Sequence, residues 1–255
     1  MRSFLFGSTA LFAVAMTGSA FAADMQMPVK ARPVPPPPAF SWSGCYIGVE
    51  GGGAWGRSSQ VARSGPGAGL PITGDFDLSG GLVGGTIGCN YQVNNVVFGI
   101  EDDLSWTNKT GSHSDMPPFN VAAVSTTREK WIDTLRGRAG FAVDRFFFYG
   151  TGGAARSGTE VNVTRIASVT DSQTRTGWVV GVGGEWAAWT LPSGTLTFKL
   201  EYLHADFGTT SYINPPVVTA TGTTVTRDVK LTDDIFRAGM NWKFGGWGTP
   251  VSTRY

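Results

Sequence analysis

From Ala23 onward the chain contains no run of about 18 consecutive apolar residues, which excludes a transmembrane helix in its body. Charge is scarce as well: Asp, Glu, Lys and Arg make up 15% of the chain, against roughly 25% in an ordinary soluble domain. With 20 basic and 19 acidic residues the formal net charge is +1, which leaves no basic footprint for a nucleic acid. There are only two His and two Cys, with no Cys-x-x-Cys and no His-Glu-x-x-His, so the ligand spacings of a zinc site are missing. No Gly-x-Ser-x-Gly occurs, which removes the commonest hydrolase signature. The stretch "DFDLSG" from Asp75 starts like a calcium loop, but its twelfth position is Thr86 rather than Glu and no helices flank it. It reads as a polar lead into a strand. Helical periodicity is also absent after Ser41. What is abundant is glycine, 36 residues, and aromatics at 12%.

The two ends read separately from the middle. Arg2, the apolar stretch Phe4–Met16 and the small-x-small motif Ala20-Phe21-Ala22 compose a secretory signal peptide over residues 1–22, cut between Ala22 and Ala23. Its apolar run is too short for a membrane anchor. Residues 23–40 are rich in Pro, "PVKARPVPPPP", and read as an extended, semi-rigid periplasmic linker. Residues 41–244 form the folded domain, and a tail, 245–255, follows.

Within the domain, period-two alternation returns eight times. Val83, Ile87, Cys89 and Tyr91 oppose Thr86, Gly88 and Asn90. Phe98, Ile100 and Leu104 oppose Glu101 and Asp103. Phe198, Leu200 and Tyr202 oppose Lys199 and Glu201. "NN", "DR" and "WTLPSG" make tight turns after the second, fourth and sixth strands. The other connections, 57–79, 108–127, 158–174 and 208–228, read as long loops rich in Ser, Thr, Gly and Pro. An even number of strands about ten residues long, with turns at one end and loops at the other, predicts an all-β fold: an eight-stranded antiparallel up-and-down transmembrane β-barrel.

The apolar rows then face lipid and the polar rows face the lumen. Parity places ten ionised side chains inside: Glu50, Glu101, Asp103, Glu185 and Glu201 against Arg136, Arg138, Lys199, Arg237 and Lys243. Charges withdrawn from water need partners, so their equality predicts an interior charge network. A barrel of this size has little room beyond those side chains, and inward glycines relieve the crowding. Trp55, Trp106, Trp131, Trp178, Trp186 and Trp242 fall near strand ends, as aromatic girdles require.

The stretches "FSWSGCYIGVEGGGAWG", "FGIEDDLSW", "TLRGRAGFAVDRFFFYGTGGAA", "TGWVVGVGGEW", "KLEYLHADFG" and "FRAGMNWKF" resemble, in order over residues 40–244, the small outer-membrane immunogenic proteins of alphaproteobacteria, relatives of OmpA-type barrels. The resemblance implies an eight-stranded outer-membrane barrel with exposed antigenic loops, and a closing aromatic, here Phe244, as the assembly signal. Members are variously structural proteins, narrow porins or haem binders. The chain departs from the pattern at Cys45 and Cys89, where aromatics are usual, and at Asp102, where a small residue is usual on the lipid face.

Cys45 and Cys89 come near each other across the first hairpin, and two readings stand: a disulfide, favoured by the oxidising compartment, or two lipid-facing thiols. His204 beside Asp206 lacks a Ser partner for a triad, and His113 reads as a solvated loop residue. The expectation is therefore not an enzyme and no cofactor. A structural and antigenic outer-membrane protein is the leading reading, with a narrow porin for small solutes, or a haem or other ligand receptor using the loops, as alternatives. Expected partners are outer-membrane lipid and lipopolysaccharide, the barrel-assembly machinery, and the cell wall through the Pro-rich linker, with the long loops outside and both termini periplasmic.

Overall fold

The computed structural model describes residues 40–65, 67–164, 168–212 and 226–245. Ala22 and Ala23, the Pro-rich segment and the tail after Gly245 lie outside the described residues. All regular structure described is strand: β1 Gly44–Ala62, β2 Pro71–Val93, β3 Val96–Thr107, β4 Thr110–Ser114, β5 Val124–Val143, β6 Phe146–Thr164, β7 Ser168–Leu191, β8 Gly194–Tyr212 and β9 Arg227–Phe244. Neighbours pair antiparallel, and β1 pairs with both β2 and β9, so the sheet closes on itself and exposes no edge. The long staves number eight, because the short β4 continues the line of β3 against β5 and β2.

Three hairpin turns are two residues long: Asn94-Asn95, Asp144-Arg145 and Pro192-Ser193. Asn94 and Asp144 adopt left-handed backbone angles, φ 53° and 50°, which Asn and Asp tolerate better than other residues bearing a β-carbon. At the opposite end the structure corrects the loop expectation. Residues 57–62, 71–79, 110–114, 124–127, 158–164, 168–174, 209–212 and 227–228 are paired strand. Above the lipid the outer face meets water, so both faces become polar and the alternation that reveals a strand is lost, although the backbone pairing continues.

Facing outward, Ile47, Val83, Ile100, Leu135, Phe141, Val182, Leu200 and Met240 are all exposed, and together they form a belt suited only to hydrocarbon. Trp106 and Trp131 pair directly at its upper edge, with Trp55 and Trp178 in the same zone, while Trp186 and Trp189 mark the lower. From Trp178 to Trp189 on β7 an ordinary strand rise and a tilt of about 40° give roughly 28 Å, close to the height of an outer-membrane apolar band. Asp102 keeps the expected register, opposite Ile87 and Leu135, and faces outward.

The inward glycines fit long neighbours. A β-carbon at Gly88 would meet the Tyr46 hydroxyl at 2.2 Å, and one at Gly183 would meet that of Tyr149 at 2.6 Å.

Candidate functional site in the barrel lumen

Period-two geometry aims Glu50 of β1, Glu101 and Asp103 of β3, Arg136 and Arg138 of β5, Glu185 of β7, Lys199 and Glu201 of β8 and Arg237 of β9 at the axis, all buried. They meet there. Arg136 binds Glu101 at 2.5 Å and Glu201 at 3.0 Å, and also reaches Asp103. Arg237 binds Glu201 at 2.6 Å and Asp103 at 2.8 Å, with Glu50 as its third partner. Arg138 donates to Glu101 at 3.1 Å and Glu185 at 3.2 Å, its guanidinium lying between the rings of Tyr46 and Tyr149. Lys199 sits among Glu101 at 3.1 Å, Glu50 at 3.3 Å and Asp103 at 3.7 Å.

Neutral donors add to the contacts of four carboxylates. Tyr46 donates to Glu101 at 2.6 Å, Tyr149 to Glu201 at 3.0 Å, Ser105 to Glu50 at 3.0 Å and Asn241 to Glu185 at 3.0 Å. Glu50 Oε2, Asp103 Oδ1 and Arg138 Nη2 make no hydrogen bond, but each belongs to a side chain that is ion-paired, and it is this density of pairing that allows so much charge inside.

Of the ten parity-selected residues, nine share this lattice. Lys243 does not. It is inward and buried, but it stands at the turn end, opposite Tyr46 and Thr195, with the Phe40 ring 5.5 Å from its Nζ. Five carboxylates thus face four cations within contact, and Lys243 acts on Glu185 only at longer range.

Apolar layers bound the lattice. Toward the turns Trp42, Val97, Ala142, Phe147 and Ala187 pack together with Phe40 against them. Toward the other end Ala54, Leu78, Leu82, Ile132, Leu203, Ile235 and their neighbours make a second layer.

Above that layer lies a charged group that strand parity did not reveal, Lys109 bound to both Glu129 and Asp233, all fully buried. A β-bulge at Lys130 hides Glu129. Counting back by twos from Arg136 would put Lys130 inside, whereas the extra residue turns Glu129 inward and Lys130 outward. Lys109 itself lies between strands. Higher still, Arg227 binds Gln60 at 2.6 Å and Ser125 at 3.0 Å, and Ser125 donates to Asp115 at 2.7 Å. Burial pushes the Asp115 carboxyl upward against the Ser125 bond and the Arg227 charge, and burial lowers the Arg227 guanidinium against the pull of Asp115.

Cys45 and Cys89 face each other in register and are joined by a disulfide. Phe244 ends β9 opposite Cys45, half-exposed. His204 partners Asp234 at 2.8 Å rather than Asp206, whose carboxylate accepts from the Gly208 amide. His113 stacks near Phe76 on β4. Among the described residues no cluster of His, Cys, Asp and Glu is arranged to hold a metal ion.

Comparison with known proteins agrees with this architecture. Residues 9–244 match the family model described as the outer membrane protein beta-barrel domain. The 31 kDa outer-membrane immunogenic protein of Brucella melitensis is 32% identical over 96% of this chain and 100% of its own length. A 22 kDa outer membrane protein of Rhizobium leguminosarum is 30% identical over 71% of this chain and 72% of its own. The outer membrane protein OprG of Pseudomonas aeruginosa superposes with a TM-score of 0.49 at 17% identity, covering 80% of this chain and 97% of that one. A closed antiparallel sheet with an apolar exterior and an ionised interior, the family match over residues 9–244 and the 32%-identical Brucella protein have one reading: the chain belongs to the outer-membrane β-barrel family and is an integral outer-membrane protein.

Proposed function

We propose that the barrel is a closed, non-enzymatic element of the cell envelope that presents its loops as surface antigens, as the name of the Brucella relative suggests for that protein. The observation that carries the reading is the stacking of the lumen. A densely paired ion lattice lies between two apolar layers, so a hydrated solute would have to strip water and break buried ion pairs at several levels. The two-residue turns face the periplasm together with the N-terminal Pro-rich segment, and the extended strand ends with Lys109 and Arg227 lie outside. Lipopolysaccharide surrounds the upper wall, the assembly machinery reads Phe244 at the end of β9, and the Pro-rich linker reaches toward the cell wall. Single-channel recording in planar bilayers tests the closure. The expected trace is flat from purified protein, and reproducible conductance steps that change with Arg136→Ala would favour a pore instead. Protease shaving of intact cells tests the orientation: cleavage after Arg63, just beyond the end of β1, is expected, and none at the Asp144-Arg145 turn.

A further inference from the structure

The outer wall of the barrel is not uniformly convex. Where β5, β6, β7 and β8 cross the belt, Ala139, Gly150 and Gly184 leave a hollow of about 670 Å³, walled by Phe148 on one side and by Tyr202 and Phe236 on the other. Register stacks it in rows. Ala139, Gly150, Val182, Tyr202 and Phe236 lie side by side, with Phe148, Gly184 and Leu200 in the row toward the turns. The row above the hollow ends in His204 and Asp234.

The glycines of this hollow are not forced by the barrel itself. A β-carbon at Gly150 would come no closer than 4.0 Å to another atom, and one at Gly184 would meet only Phe148 at 3.5 Å. On the inner face the opposite holds: a β-carbon at Gly140 or Gly153 would lie about 2 Å from a neighbouring strand's carbonyl oxygen. Gly in a strand interior weakens it, and it marks places where something else approaches closely. In the hollow nothing of this chain approaches; Gly51, Gly85 and Gly137 elsewhere on the outer wall are as open, and what sets this place apart is the group at its rim.

At its upper rim stands a polar group that is out of place on a lipid wall. Tyr202, which lines the hollow, donates its hydroxyl to Asp234 Oδ1 at 2.7 Å, and His204 Nδ1 meets the same oxygen at 2.8 Å. Trp178 packs beside the imidazole with ring centroids 5.8 Å apart. The imidazole is thus held through Nδ1, and its side chain is partly exposed. Arg57 rises two residues beyond Trp55, the β1 partner of Asp234, with its side chain largely exposed and its Nε 3.7 Å from the equally exposed Asp77, a surface pair that a phosphate can displace.

We propose that this is a specific site for one phosphate-bearing acyl lipid, with a chain in the Gly150–Gly184 hollow and the phosphate at His204 and Arg57. In its charged form His204 has Asp234 as counter-ion and donates from Nε2 to a phosphate oxygen, as Arg57 does from its guanidinium. Tyr202 belongs to both halves, as chain wall and as the group that fixes Asp234. The site rests on the outer wall facing lipid, and the experiment keeps the two apart.

Folded protein, checked by its shifted mobility in unheated gels, is delipidated in detergent and titrated by native mass spectrometry. The probes are lipid A, phosphatidylglycerol and, as a chain without phosphate, diacylglycerol. One saturable lipid per barrel is expected for a phosphorylated probe, and whichever of the two binds more tightly identifies the source. Gly150→Leu and Gly184→Leu, which the backbone accommodates, should weaken it at least ten-fold while the gel shift is retained. His204→Ala and Arg57→Ala should reduce the preference for phosphorylated probes over diacylglycerol by about ten-fold. Unchanged affinity in both leucine variants would overturn the site, as would a preference that survives both alanine variants. Loss of a dimer peak in the leucine variants without loss of lipid would overturn it in favour of a second barrel copy. If the wall did not face lipid at all, no gel shift and no saturable binding of any probe would be seen in the wild-type chain, a result distinct from these.

Discussion

Replacing Arg136 by Met removes a cation of similar length from the centre of the lattice without adding bulk. Arg136 contacts Glu101 at 2.5 Å, Glu201 at 3.0 Å and Asp103, and donates to Thr134 at 3.2 Å and Thr151 at 3.3 Å. All three carboxylates remain buried after the change. Glu201 and Asp103 keep Arg237, and Glu101 keeps Arg138 and Lys199, so no carboxylate is stranded. The lattice nevertheless goes from five acids over four cations to five over three. Breaking a buried ion pair by removing one partner costs about 3–5 kcal/mol, and the spare partners argue for the lower end, about 3 kcal/mol. Urea unfolding of protein folded into detergent, followed by gel mobility and tryptophan emission, reads it as a lowered midpoint at constant slope. Adding Glu101→Gln restores the acid-to-base balance and should recover part of the loss, a coupling of about 1 kcal/mol or more. Arg156→Met is the control. Its pair with Asp133 lies on the outer wall with the arginine exposed, so it should cost at most about 1 kcal/mol. If Arg136→Met and Arg156→Met fell together, the lattice would not be a stabilising unit.

Lys243→Met should cost only about 1 kcal/mol, since its close partner is the Phe40 ring, whereas Lys199→Met should match Arg136→Met in the same urea assay. Alkylation of denatured, unreduced protein should label no cysteine, and reduction should expose both Cys45 and Cys89. The Cys45→Ser, Cys89→Ser double variant should lose at most about 4 kcal/mol, the chain-entropy value for a closed loop of this length, the linked residues being 44 apart. Lys109→Met, which removes the cation from Glu129 and Asp233, should destabilise by about 3 kcal/mol. Lys130→Met next to it faces outward and should fall within about 1 kcal/mol of the parent.

The sequence disclosed the membrane-level half of the barrel because only there do two solvents act on one strand. Lipid outside demands Phe198, Leu200 and Tyr202, and a crowded lumen admits Lys199 and Glu201, so the alternation is sharp. Beyond the girdle that contrast ends, and paired strands such as Arg227–Val229 look like loop. The nine lattice residues were legible from parity alone, because a strand without bulges cannot change which side its side chains take. Parity failed where a bulge intervened. At Glu129–Trp131 the extra residue inverts the count and hid Glu129; Asp233 keeps the parity of Arg237 but lies beyond the apolar alternation that marked the strand, and Lys109 lies between strands, where parity does not apply. Lys243 shows a different limit: parity tells which face a side chain takes but not at which height, and this lysine lies a layer below its supposed partners. The His204–Asp234 contact was missed because it is made across strands, whereas Asp206 was merely close in sequence.

The most direct test of the account is the sidedness of β8. A carbene photolabel dissolved in the bilayer, followed by peptide mapping, should modify Phe198, Leu200 and Tyr202 and spare Lys199 and Glu201 between them. Label on Lys199 or Glu201, with the aromatic row untouched, would turn the sheet inside out and contradict both the buried lattice and the lipid-facing wall.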